Sequence, residues 1–106
     1  YNPTADDRDI SNFILRDGAA TVMATIPDGT MLDSGDFFTV DVGNRLNITG
    51  DHVFLKDPTD SLVLDDRVYT QGDVSENVSI GRENDGGVIW KNCIIPSKGS
   101  SNNGSC

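Results

Sequence analysis

The chain has 106 residues, enough for one small domain with a modest core. Its 17 acidic residues against 8 Lys and Arg give a formal charge of −9. With no basic cluster to offset that charge, such a surface repels a phosphate backbone and excludes nucleic acid as a natural partner. Hydrophobic residues make up 36% of the chain, and no apolar run reaches the length of a membrane helix, so direct membrane insertion is not expected.

Residues 1–9, YNPTADDRD, read as a flexible lead-in. The start at Tyr1, with neither Met nor an apolar leader, predicts a mature product or an excised piece. Strands are then predicted at 10–15 (ISNFIL), 20–26 (ATVMATI), 36–42 (DFFTVDV) and 46–49 (LNIT). Further ones follow at 52–56 (HVFLK), 61–65 (SLVLD), 67–71 (RVYTQ), 77–81 (NVSIG) and 87–95 (GVIWKNCII). The alternation of Phe38, Val40 and Val42 with Thr39 and Asp41 is the period-two signature of a half-buried strand. Turn pairs such as Asp17-Gly18, Ser34-Gly35, Gly72-Asp73 and Asp85-Gly86 separate the strands. There Gly supplies positive φ and Asp bonds its own backbone. Fifteen of the acids are Asp, a poor helix former and a good turn residue. The expected fold is all-β: an antiparallel sandwich of about eight strands, immunoglobulin-like, over residues 10–96.

Residues 97–106, SKGSSNNGSC, form a Ser/Gly/Asn-rich tail that could not pack alone. Cys93 and Cys106 are the only cysteines. A bond between them would pin the tail, and closing a loop of this length contributes about 3 kcal/mol in a chain-entropy account. Cys106 bonding another chain or segment is the other reading. Three glycosylation sequons start at Asn47, Asn77 and Asn103, where roughly one is expected by chance. Asn47 and Asn77 fall on the outward parity of their predicted strands. Paired cysteines with outward sequons predict a secreted, extracellular or cell-wall glycoprotein.

Little catalytic chemistry is legible, and an enzyme is not expected. His52 is the sole histidine and sits within a strand pattern. The two cysteines lack the spacing and second pair of a zinc site, and Glu76 and Glu83 are the only glutamates. Asp57, Asp60, Asp65 and Asp66 are weak calcium candidates, because their spacing misses the EF-hand loop; solvated turn acids are the plainer reading. No cofactor is implied. Phe37, Tyr69 and Trp90 are interface candidates, since one ring of the Phe37-Phe38 pair must leave the core. The segment 87–95 is apolar on both parities, as for a central strand or one covered by another element, including one from a neighbouring subunit.

The stretches DISNFIL (9–15), ATVMATI (20–26), DSGDFFTVDVGNRLNIT (33–49) and VFLKDPTDSLVLDDRVYTQGDV (53–74) occur in an order that resembles the immunoglobulin-like N-terminal domain of yeast agglutinin and agglutinin-like cell-wall adhesins. More distantly it is similar to fibrinogen-binding bacterial surface adhesins. Those adhesins pair two domains and bind ligands between them, whereas this chain has room for one. The fungal members also carry more cysteines, and no ligand residue transfers. The resemblance implies a surface-displayed module that binds a protein or glycan on another surface. An extracellular subunit that assembles with copies of itself by strand addition is an alternative, and a small secreted toxin or effector is a third.

Overall fold

The computed structural model describes residues 1–106. Its elements, in order, are β1 (Arg8–Asp9), β2 (Ile14–Arg16), β3 (Val22–Thr25), β4 (Met31–Leu32), β5 (Gly50–Lys56), β6 (Val63–Thr70), a 3-10 turn (Gln71–Asp73), β7 (Ser79–Arg82) and β8 (Trp90–Cys93). The fold is all-β, as the turn-punctuated alternation predicts, and β2, β3, β5 and β6 as well as β7 and β8 pair antiparallel. The chain divides into two compact units.

One unit comprises Asp9–Met31 and Val40–Gln71 and carries a four-stranded sheet ordered β3-β2-β5-β6. β5 is an inner strand, half-buried along its whole length. It starts at Gly50 with φ 130°, where a Cβ would stand 2.9 Å from the Tyr69 carbonyl oxygen, so only glycine fits. Two bulges shape the sheet. Leu15 faces Ala24 and Arg16 faces Val22, which leaves Met23 as the extra residue, and Met23 is buried with Ile26. Leu55 faces Asp65 and Lys56 faces Val63, which leaves Leu64 as the second extra residue.

The other unit comprises Tyr1–Arg8, Leu32–Thr39 and Gly72–Cys106. It holds the β7–β8 hairpin, with Leu32 and Cys93 buried. A hairpin alone is marginal in water, and here the Cys93–Cys106 disulfide closes the tail back onto it. The Asn102 side chain donates to the Arg82 carbonyl at 2.8 Å, and its backbone N–H donates to the Asp85 carboxylate at 2.7 Å. β1 and β4 form a further two-stranded ladder, and the unit boundaries fall inside these two strands.

Several sequence expectations change. Residues 36–42 and 46–49 are turns and irregular chain, not strands. Local side-chain bonds override the β pattern there: Asp36 Oδ1 accepts the adjacent Phe37 N–H, and Asp41 Oδ1 accepts the Gly43 N–H at 2.8 Å in an Asx turn. The segments 61–65 and 67–71 are one strand, β6, because the Leu64 bulge breaks the alternation without ending the ladder. The strands expected at 10–15, 20–26 and 87–95 are real but shorter. Nor is the start of the chain a free lead-in. Asn2 is 4% exposed. Its Nδ2 donates to the Leu32 and Asp6 carbonyls at 3.0 and 2.9 Å, and its Oδ1 accepts the Thr4 N–H and hydroxyl.

Met23 and Ile26 are the buried apolar side chains of one unit and Leu32 and Cys93 those of the other, so each core is sparse. Polar fixation must therefore carry much of the specificity. Asn2→Ala takes the side-chain donor from the buried Leu32 carbonyl and the acceptor from the Thr4 N–H and is expected to cost about 1–3 kcal/mol, read from the shift in urea midpoint; an unchanged midpoint contradicts the anchoring role. Cys106→Ser is expected to lower stability by about 3 kcal/mol, with amide-exchange protection lost first in β7 and β8. Unchanged protection there means the tail is held without the disulfide.

Candidate interaction surface

The four-stranded sheet presents one face whose composition follows from register. Arg16 stands opposite Phe54, and Phe54 opposite Asp66; His52 stands opposite Val68, and Lys56 opposite both Ile14 and Val63. These side chains share a face, because cross-strand partners point the same way. Since Leu64 has no partner, Val63 and Leu64 sit together at one end of β6. Val63, Leu64 and Val68 are 52%, 48% and 53% exposed, and Leu62 just before them is 61% exposed. β6 is an edge strand, so an aliphatic row lies along the open side of the sheet.

Polar groups fix the rest of the face. His52 Nε2 lies 2.7 Å from Asp66 Oδ2, and the His52 ring stacks on Phe54 with centroids 3.8 Å apart. Asp60 accepts from Arg16 at 2.6 Å and from Lys56 at 2.9 Å. Hydrogen bonds from Arg16, then Lys56, pull the Asp60 carboxyl down to about 2. Asp57 Oδ1 accepts the Ser61 and Leu62 N–H groups, with Thr59 Oγ1 donating to Oδ2, and these bonds lower its pKa. Asp65 Oδ1 accepts the N–H of Asp66. The calcium candidates Asp57, Asp60, Asp65 and Asp66 are thus engaged by cations, hydroxyls and backbone, and no group of three or more His, Cys, Asp or Glu is placed to hold a metal ion.

Of the interface candidates, none is a freely exposed ring. Tyr69 is half-buried, and its hydroxyl donates to the Asn47 carbonyl at 2.5 Å. Trp90 lies under the Arg82 guanidinium, 4.6 Å from the ring centroid. Phe37 stacks on Tyr1 at 5.0 Å, while Phe38 is the more exposed of the pair. Exposed apolar surface is mostly aliphatic, and in the hairpin unit it includes Val88, Ile89, Ile94 and Ile95 around β8 beside the exposed Tyr1 and Phe38. The Val63-Leu64 doublet before Asp65-Asp66 is the sequence sign of the bulge, and it is legible only once both flanking runs are read as one strand.

Asn47, Asn77 and Asn103 are all exposed. They lie in turns and not on outward strand faces: Asn47 precedes β5, and Asn77 adopts φ 61° between the bridged Ser75 and Val78. The Cys93–Cys106 pairing expected from the cysteine count is present. No protein family, no curated protein and no solved structure matches the chain.

The Asp60 carboxyl, depressed from 3.8 to about 2, contributes stability that is present above pH 4 and lost as pH falls through 2. Arg16→Met should move the Asp60 titration midpoint, followed by carboxyl-carbon NMR, back toward 3.8. A midpoint unmoved by that substitution rules out Arg16 as the main cause.

Proposed function

We propose that the chain is a secreted or cell-surface recognition module that binds a protein partner in the manner of an adhesin. The observation that carries this reading is the aliphatic row Val63, Leu64 and Val68 on the open edge strand β6. Exposed apolar side chains set among fixed charged groups supply burial energy for association, while the surrounding polar groups supply selectivity. The disulfide and the three exposed sequon asparagines support an extracellular setting and use as a glycoprotein. The agglutinin-like resemblance of residues 9–74 supports the same class of role.

Assembly into filaments by donation of residues 1–9 is a weaker account. The donor segment would have to give up the bonds that Asn2 makes to Leu32, Asp6 and Asp36. Asp65 and Asp66 also place charge on the β6 edge, a common guard against edge-to-edge pairing.

Fluorescently labelled protein should bind intact cells or cell-wall preparations saturably and remain monomeric in sedimentation. The triple variant Val63→Thr, Leu64→Thr, Val68→Thr should fold but bind at least about tenfold more weakly. Equal binding by the variant would remove the β6 row from the account. Absence of saturable binding to any surface would remove the recognition role itself.

A further inference from the structure

We propose that Asn103–Gly104 is a self-modifying site, at which the chain converts its own amide to an isoaspartyl or aspartyl link without an enzyme. The conversion is a cyclisation. The Gly104 backbone nitrogen attacks the Asn103 side-chain amide carbon and forms a new C–N bond. The amide nitrogen leaves as ammonia, taking up the proton that the glycine nitrogen gives up. Water then opens the five-membered imide at either carbonyl, which leaves isoaspartate or aspartate. No oxidation occurs, and water is the only co-reactant.

Three features of the tail favour this reaction at Asn103. The residue that supplies the nucleophile is glycine, with φ 83° and open space where a Cβ would be, so no side chain of its own crowds the nitrogen. Residues 102–105 form a turn closed by the Ser105 N–H on the Asn102 carbonyl at 2.8 Å, and Gly104 lies in its middle. The middle N–H of such a turn takes no part in the closing bond, and the Gly104 N–H donates to nothing here. Finally, the Asp85 N–H donates to Asn103 Oδ1 at 3.0 Å. A donor on that oxygen stabilises the negative charge that develops there when the nitrogen adds to the amide carbon.

The other two sequon asparagines make internal controls. Asn47 precedes Ile48 and Asn77 precedes Val78, both β-branched, so side-chain atoms crowd the attacking nitrogen. Asn103 is also the head of its own sequon, Asn103-Gly104-Ser105. A glycan and the cyclisation therefore compete for one amide: conversion destroys the acceptor, and a glycan on the nitrogen blocks the loss of ammonia. Conversion would add one negative charge beside Asp85 and, as isoaspartate, one backbone carbon to the loop closed by Cys93–Cys106.

The test uses the full, disulfide-bonded, unglycosylated protein, incubated at near-neutral pH and body temperature. Peptide mapping by mass spectrometry follows Asn47, Asn77 and Asn103, and an isoaspartyl methyltransferase assay counts isoaspartate. Conversion at Asn103 should outpace that at Asn47 and Asn77 by at least about tenfold, with isoaspartate and aspartate both formed. Asn103→Gln should remove the isoaspartate that maps to residue 103 and leave only the slower background of the Asp17-Gly18, Asp28-Gly29 and Asp85-Gly86 pairs, and loss of the Asp85 N–H bond should raise amide exchange at Asp85 in step with conversion. Equal or slower conversion at Asn103, or a total isoaspartyl signal unchanged by Asn103→Gln, would overturn the proposal.

Discussion

The rest of this structure depends on one short-range interaction, the aspartate carboxylate that accepts a backbone N–H. Asp51 accepts from Gly18, His52 and Asn47, and so ties the β2–β3 turn and the chain before β5 to the start of that inner strand. Asp17 holds the N–H groups of Ala19 and Thr21, Asp57 those of Ser61 and Leu62, and Asp85 that of Asn102. Each bond satisfies a donor that the neighbouring ladder leaves unpaired. Such bonds need a side chain short enough to reach its own or a nearby backbone. At least nine of the fifteen Asp, namely Asp7, Asp9, Asp17, Asp36, Asp41, Asp51, Asp57, Asp65 and Asp85, accept a backbone N–H, which favours Asp over the longer Glu.

This arrangement stands in place of a large core. With Met23, Ile26, Leu32 and Cys93 as the buried apolar side chains, apolar burial alone specifies few backbone positions. Turns fixed by carboxylates, the Asn2 cluster and the disulfide fix the others. The same economy leaves aliphatic side chains outside. The bulge at Leu64 puts two consecutive apolar residues on the open part of β6, where an unbroken strand would have turned one of them away. The exposed aliphatic row on β6 and the weak burial thus share one structural cause.

Much of the fold was legible in the sequence. Its all-β class, the strand nature of HVFLK and the ends of most turns follow from period-two alternation and from Gly and Asp placement. What misled was the same alternation in DFFTVDV and LNIT, where Asp36 and Asp41 bond the adjacent backbone and no strand lies alongside to form a ladder. Alternation reports which side chains could share a face, not whether a partner strand exists. The candidate surface was hidden for a related reason, since the Leu64 bulge makes one strand look like two. Burial of Asn2 rests on carbonyls thirty and more residues away, a tertiary fact that no local pattern carries. Phe37, Tyr69 and Trp90, which aromatic size singled out, each have an intramolecular partner that no local pattern shows.

The account's central claim is that ionised aspartates hold the backbone, and the free energy of urea unfolding measured from pH 7 down to pH 2 tests it most directly. Two effects oppose each other along that path. Hydrogen bonds lower the pKa of Asp9, Asp51, Asp57 and Asp60 in the folded chain, so their contribution is present above the ordinary value of 3.8 and is lost as pH falls below it. Protonation also relieves the self-repulsion of a chain with charge −9, which favours the folded state. The account predicts that loss of the acceptors wins, with stability steady near neutrality and falling steeply below pH 4. Stability that holds or rises between pH 4 and pH 2 would contradict it, and would assign the fold to its apolar contacts and disulfide instead.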